Sequence, residues 1–257
     1  MKVLFLGSGT STGVPVIGCN CRACRSSNPR NVRLRSSVLV STESTTLLVD
    51  SGPDLRAQAL RHGLTAIDAV LYTHEHLDHV AGFDEMRAFC WRREDLLPLY
   101  AGTRCLAGLK RMYAWAFSPE NTWKGYIRPA AHDHEGKPFT VGDISVTPVP
   151  VIHGKVETYG YVFRHGGSSF GYVPDVKEIP ESSMPLLRGL DALAMDGLCY
   201  TGHFTHLTAD ENIAYMKALA PRRGYVTHSG HRLEYEELRD YLPEFMEPSY
   251  DGMQLEL

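Results

Sequence analysis

Ten short apolar runs, each closed by a turn residue, a His or an Asp, recur along the 257 residues, with few helical stretches between them. They cover 2–7, 36–42, 45–50, 69–74, 144–152, 158–165, 168–175, 192–197, 223–229 and 253–257. Their β-branched and aromatic content and their Gly, Pro, Asp and Ser boundaries predict strands. Ten strands in a chain of this length call for two packed sheets. Three helices are predicted. One spans Pro53 to His62, with Gly63 just past its end. One begins near Asp78 and runs through Phe89. The third is opened by Thr208 and Glu211 as a capping box and stopped at Ala220 by Pro221. No linker or repeat interrupts the pattern, so residues 1–257 read as one domain. Residues 92–139 break the strand rhythm and carry Tyr100, Tyr113, Trp115, Phe117, Trp123 and Tyr126. That stretch reads as an insertion or lid, although such aromatics also serve as core.

Composition removes several classes. With 43% hydrophobic and 22% charged residues the chain folds rather than staying disordered. A net charge of −4 gives no general attraction for nucleic acid or anionic membranes. No apolar run approaches the ~18 residues of a transmembrane helix. The N-terminal run Val3–Leu6 turns at once into a Gly/Ser/Thr loop, so it predicts a strand and not a secretory signal. The cytoplasm is the expected compartment, where six cysteines serve as metal ligands or core residues rather than disulfides.

The segment Leu71-Tyr72-Thr73-His74-Glu75-His76-Leu77-Asp78-His79 follows an apolar strand and precedes a helix. At strand spacing His74 and His76 share a side, and Asp78 and His79 face the same space from the helix start. Mixed imidazole and carboxylate donors at this density suit Zn²⁺, Mn²⁺ or Fe. A two-metal site needs more ligands, and three stand at later strand ends: His153, Asp175 and His228.

This set, in this order, resembles the metallo-β-lactamase superfamily over nearly the whole chain. The resemblance implies an α/β fold, a four-layer αββα sandwich. It implies one catalytic ion held by His74, His76 and His153, a second by Asp78, His79 and His228, and Asp175 bridging them. It also implies that Asp50 orients the first histidines.

A second constellation, Cys19-x-Cys21-x-x-Cys24, lies in a Cys-rich loop at 18–35. A structural zinc needs four ligands, and His231, three residues after His228, is the best-placed fourth. A redox pair of Cys21 and Cys24 competes with this reading. Cys90, Cys105 and Cys199 read as ordinary buried thiols. Arg30, Arg33 and Arg35 read as a solvated face, with contact to a substrate phosphate as the alternative. His132 and His134 are assigned no role.

The run Gly7-x-Gly9-Thr10-Ser11 through Cys24 narrows the resemblance. It looks like the branch containing the phosphodiesterase of the carbon–phosphorus lyase pathway. A related cysteine motif also occurs in a pyrroloquinoline-quinone biosynthesis protein, which lacks the intact HxHxDH present here. The branch implies a small cyclic ribose phosphate or similar phosphodiester as substrate, opened by a hydroxide between the two ions. It implies Asp78 and His206 as catalytic residues, His206 as phosphate contact or general acid, with His203 its local competitor. It implies two Mn, Zn or Fe ions plus one structural Zn, and a homodimer. Two ions, Asp78, Asp175 and one hydroxide leave a site of about +1, which favours an anionic substrate. An RNA 3′-processing nuclease and a lactonase or thioester hydrolase of the same superfamily are the alternatives. The nuclease lacks support here, because no Gly/Lys-rich arm is visible and the net charge is negative. Pro174 and Val176 around Asp175, and the pair Asp196-Gly197, depart from the branch pattern and bear on the pocket.

Overall fold

Along Lys2–Gly7, Val3 and Phe5 point to one side and Leu4 and Leu6 to the other, and both sides are apolar. The same alternation recurs at Leu47, Leu48 and Val49 and at Ala192, Leu193 and Ala194. A sheet apolar on both faces must be covered on both. In the computed structural model, which describes residues 1–91 and 93–257, that is what the chain builds.

The first sheet holds β1 (Lys2–Gly7), β2 (Ser37–Ser41), β3 (Thr46–Val49), β4 (Ala69–Leu71), β5 (Leu97–Ala101) and β6 (Pro129–Asp133). The second holds β7 (Phe139–Val141), β8 (Ile144–His153), β9 (Val156–His165), β10 (Ser168–Val173), β11 (Ala192–Asp196), β12 (Arg223–Thr227) and β13 (Met246–Pro248). The last strand, β14 (Gln254–Glu256), returns to the first sheet beside β1. The orders are β14-β1-β2-β3-β4-β5-β6 and β13-β12-β11-β10-β9-β8-β7. Both sheets use one scheme: from β14 to β3 and from β7 to β10 the pairing is antiparallel, and from β3 to β6 and from β10 to β13 it is parallel.

Val3, Phe5, Val49, Leu71, Phe163, Phe170 and Tyr225 fill the space between the sheets. On the outer face of the first sheet lie α1 (Leu55–His62), α2 (Leu77–Val80), α3 (Arg87–Cys90), α4 (Thr103–Met112) and α5 (Ala114–Phe117). On the outer face of the second lie α6 (Met184–Leu187), α7 (Ala209–Leu219) and α8 (Tyr235–Tyr241). The αββα sandwich expected from the sequence is therefore the fold. No helix among the described residues is long and apolar enough to cross a membrane.

Several expectations are corrected. Four strands, β5, β6, β7 and β13, were not predicted; all are short and two begin or end on Pro. Arg92, the first residue of the expected insertion, lies outside the described residues. The rest of the stretch to 139 extends the first sheet through β5 and β6, and Leu97, Leu99, Leu106 and Leu109 bury against it, so it is part of the sandwich. The helix expected from Asp78 to Phe89 is split into α2, a 3₁₀ turn at Phe83–Met86 and α3. Gly82 is the reason. Its N–H donates to Ser51 O at 2.8 Å, and a Cβ there would stand 2.1 Å from Gly52 O. The chain leaves the helix to let two loops touch.

That contact locks the loop after β3 to the loop carrying Asp78. Gly82→Ala should therefore lower unfolding stability by about 2 kcal/mol in urea titrations, the usual scale of overpacking. Wild-type stability would show that the two loops can part freely.

Candidate metal centre

The imidazole and carboxylate candidates gather at the carboxyl ends of strands or in the turn and short helix that follow one. β3 ends just before Asp50, β4 just before the histidine segment, β8 at His153, β10 just before Asp175, and β12 just before His228. The expectation that His74 and His76 share a side through strand geometry is corrected. β4 stops at Leu71, and both histidines sit in the following turn, where His76 opens α2.

Asp50 shapes that turn. Its φ is 61°, in the left-handed region, where Asp is tolerated better than most residues. Its Oδ1 accepts from Thr73 N–H at 2.8 Å, and its Oδ2 accepts from the Thr73 hydroxyl at 2.9 Å and from His79 Nδ1 at 2.7 Å. Burial pushes the Asp50 carboxyl up from its ordinary value, against the pull of His79.

The hydrogen bonds fix which nitrogens face inward. The Thr73 hydroxyl is spent on Asp50, so toward His74 Nδ1, 3.0 Å away, its oxygen can only accept. His153 Nδ1 donates to the Thr205 carbonyl at 2.8 Å. Both rings therefore turn a bare Nε2 inward. These lie 2.9 and 3.3 Å from His76 Nδ1. Three imidazole nitrogens converging on one point are the donor set a divalent cation takes.

A second group lies beside it. His79 Nε2 is 3.3 Å from Asp78 Oδ2 and 3.1 Å from Asp175 Oδ2, and His228 Nδ1 is 3.4 Å from Asp175 Oδ2. His79 Nε2 and Asp175 Oδ2 are buried without any hydrogen-bond partner. Donor atoms of His74, His76 and His153 lie within 4.8 Å of one another, as do those of Asp78, His79 and His228 and those of His74, His79 and Asp175. Asp175 thus joins the two groups, and the donors fit a pair of divalent ions.

Charge follows burial. Desolvation holds His74 well below its ordinary value and takes His228 down to about 4, so both are neutral and ready to coordinate. His79 is the exception: burial lowers it, but Asp175, Asp78 and Asp50 outweigh that and raise it well above its ordinary value. Against the upward push of burial, His228 and His79 hold Asp175 far below the usual carboxylate range, and His79 does the same for Asp78. Metal binding at this nitrogen would require His79 to give up its Nε2 proton. His228 also has a left-handed φ of 56°, and its ring is held by Ser36 Oγ at 3.2 Å and Thr10 Oγ1 at 3.1 Å.

His206 joins the cluster. Its ring lies 4.7 Å from that of His153 and stacks on His228 at 5.1 Å between centroids. Its Nδ1 is 2.8 Å from Asp196 Oδ2. Burial raises Asp196 to about 7, and the hydrogen bond and charge of Asp196 raise His206 in spite of burial. His203, its ring 5.1 Å from that of His206, lines a neighbouring cavity. A cavity of about 360 Å³ opens over the ligands, with Ser11, Lys155 and Phe204 on its walls. Sequence reasoning gave Asp196 a bearing on the pocket but no contact with His206, and gave Thr10, Ser36, Thr73 and Lys155 no role in the site. Asp196 carried a readable signal, since it ends β11 as the ligands end their strands.

The cysteine loop reaches the same edge. Donor atoms of Cys19, Cys21, Cys24 and His231 lie within 4.8 Å of one another, with His231 Nδ1 3.2 Å from Cys19 Sγ and 3.4 Å from Cys21 Sγ. None of these cysteines is in a disulfide. Four soft donors closed around one point fit a structural zinc. Burial raises Cys24 to about 11; against the same push, hydrogen bonds from Cys24 and His231 bring Cys21 to about 6.

Two further expectations are corrected. Of the three arginines after this loop, Arg30 is exposed as a solvated face would have it, but Arg33 and Arg35 are not. Arg33 is buried and donates to Gly230 O at 3.1 Å, Leu233 O at 2.6 Å and Asn31 Oδ1 at 3.1 Å. Arg35 pairs with Asp54 at 3.1 Å, and Arg30 lies over the Tyr235 and Tyr250 rings. Cys199 is half-buried on a cavity wall, whereas Cys90 and Cys105 are buried as expected.

Residues 45–229 match the model of the beta-lactamase superfamily domain. A protein of Porphyromonas gingivalis named octanoyltransferase is 34% identical over 99% of this chain, which spans about half, 51%, of that protein's length. Coenzyme PQQ synthesis protein B of Methylobacterium nodulans is 30% identical over 77% of this chain and 73% of its own. Among solved structures, a diphosphatase from the PhnP family is 39% identical, with a TM-score of 0.92 over 100% of this chain and 96% of that one.

Asp50→Asn keeps the shape and tolerates the left-handed backbone but weakens the bonds that aim His79 and Thr73. Divalent-metal affinity should fall tenfold to a hundredfold by competition with a chelating dye. Unchanged affinity would mean that the ligands hold their aim without Asp50.

Proposed function

The chain belongs to the metallo-β-lactamase superfamily of hydrolases, and from that premise we propose that it hydrolyses a small phosphodiester such as a cyclic ribose phosphate. The observation that carries this reading is the joined pair of ligand groups with His206 held against Asp196 beside them. The full-length likeness to a PhnP-family diphosphatase supports the same class of chemistry. Half of the octanoyltransferase-named protein lies outside the match, so its printed activity does not come with the alignment.

His74, His76 and His153 would hold one ion and Asp78, His79 and His228 the other, with Asp175 between them. When bound, such ions supply Lewis acidity and lower the pKa of water. The rest falls to side chains. Asp196 engages Nδ1 of His206, which leaves Nε2 to donate to a phosphoryl or leaving-group oxygen. Lys155, on the cavity wall and in no ion pair among the described residues, draws the anion in. The Cys19, Cys21, Cys24 and His231 cluster takes a structural zinc and pins the N-terminal loop. Its free thiols suit the cytoplasm. The net charge of −4 favours a small substrate over a nucleic acid.

Bis(4-nitrophenyl) phosphate and a 2′,3′-cyclic nucleotide should be turned over with Mn²⁺ or Zn²⁺ and not after chelation, whereas a lactone should be inert. His206→Ala should lower kcat about a hundredfold with its metal content intact. Preferred cleavage of the lactone would overturn the reading.

Elemental analysis should find three ions per chain, and Cys21→Ser should lose one while keeping the other two. Loss of all three, or of none, would separate the cysteine cluster from the role given to it.

A further inference from the structure

Phe204 is 84% exposed, yet it stands on the wall of the metal cavity two residues before His206. One face of its ring is covered: the His203 imidazole stacks on it at 4.7 Å between centroids and 20° between planes. His203 is fixed in turn, since its Nδ1 accepts from Thr205 N–H at 3.3 Å and lies 3.2 Å from Thr205 Oγ1. The Thr205 carbonyl holds His153. A rigid stack tied to a metal ligand thus presents one bare aromatic face to the cavity mouth.

The stack also stands between two cavities. Phe204 lines the metal cavity and His203 a second one of about 430 Å³, and Ser11 is common to both. Arg232 on the second wall makes no ion pair among the described residues. A ligand that spans both must carry an anion for the metals, hydroxyls for the polar walls and a flat ring for Phe204. A simple sugar phosphate leaves the ring uncovered.

We infer that Phe204, backed by His203, is a stacking platform for the heteroaromatic base of a nucleotide substrate whose sugar enters the second cavity. This rests on the phosphodiesterase reading for the position of the phosphate. Stacking tolerates any base, because each has a π face, and is worth roughly fivefold to a hundredfold in affinity.

Calorimetry on the metal-loaded protein tests it without turnover. AMP should bind about tenfold more tightly than ribose 5-phosphate. Phe204→Ala and Phe204→Leu should bring the two within twofold of each other without changing the ribose 5-phosphate affinity, and Phe204→Trp should keep the preference. The leucine variant keeps apolar area but no ring, so it separates stacking from greasiness. Equal affinities in the wild type, no measurable AMP binding, or a preference that survives in Phe204→Ala would overturn the inference. Hydrolysis of 2′,3′-cyclic AMP is followed in parallel. Turnover with equal affinities sinks the platform and leaves the phosphodiesterase reading. A base preference that responds to Phe204, with no turnover, supports the platform and sinks that reading.

Discussion

Asp50 is the residue on which the site turns. It is buried in a left-handed conformation and accepts three hydrogen bonds. Through Thr73 it sets which nitrogen of His74 carries the proton, and directly it does so for His79. One carboxylate thus aims a ligand of each metal group. It can do this only because the next turn is brought against it. Ser51 N–H donates to His79 O at 2.8 Å, and Gly82 allows the contact of the two loops. Burying so much acid and imidazole together is costly unless each charge is paired or meets a cation. In this fold His79 Nε2 and Asp175 Oδ2, 3.1 Å apart, lie where the two donor groups meet.

What the sequence made legible follows from the range of each interaction. Strand alternation, the capping box at Thr208 and the glycine after His62 are local, and each lies within a residue or two of its expected place. The ligands were legible because they share one positional rule, the carboxyl end of a strand. Asp196 obeys the same rule, but its role was not legible because it lies in the side chain it touches, His206, ten residues away. Thr10 and Ser36 were invisible for a stronger reason. They support His228 across 218 and 192 residues of chain, and nothing local marks a hydroxyl for that task.

The arginines teach the opposite lesson. Three in six positions look solvated on composition, yet Arg33 is among the largest fully buried side chains. Burial lowers its guanidinium only to about 10, so it stays charged in the interior. It remains there because four acceptor oxygens, three of them backbone carbonyls, surround it. A buried cation solvated by main chain cannot be read from charge patterning, since the carbonyls that receive it carry no sequence signature.

Gly230 connects this cation to the chemistry. Its carbonyl accepts from Arg33, and it lies between His228, a member of the buried donor groups, and His231, a member of the cysteine cluster. His231 and Arg232 continue into the wall of the second cavity. Five consecutive residues therefore join the buried donor groups, the cysteine cluster and the cavity beside them. A strand-end segment free to move would let these three drift independently. Tied to Arg33 on one side and to the cysteines on the other, it holds them in one frame. The stack of Phe204 on His203 faces that frame across the cavity and is itself tied to His153 through Thr205. Both walls of the cleft are thereby referenced to the same buried histidines, which is the condition the proposed recognition of an anion and a stacked ring at a fixed separation would need.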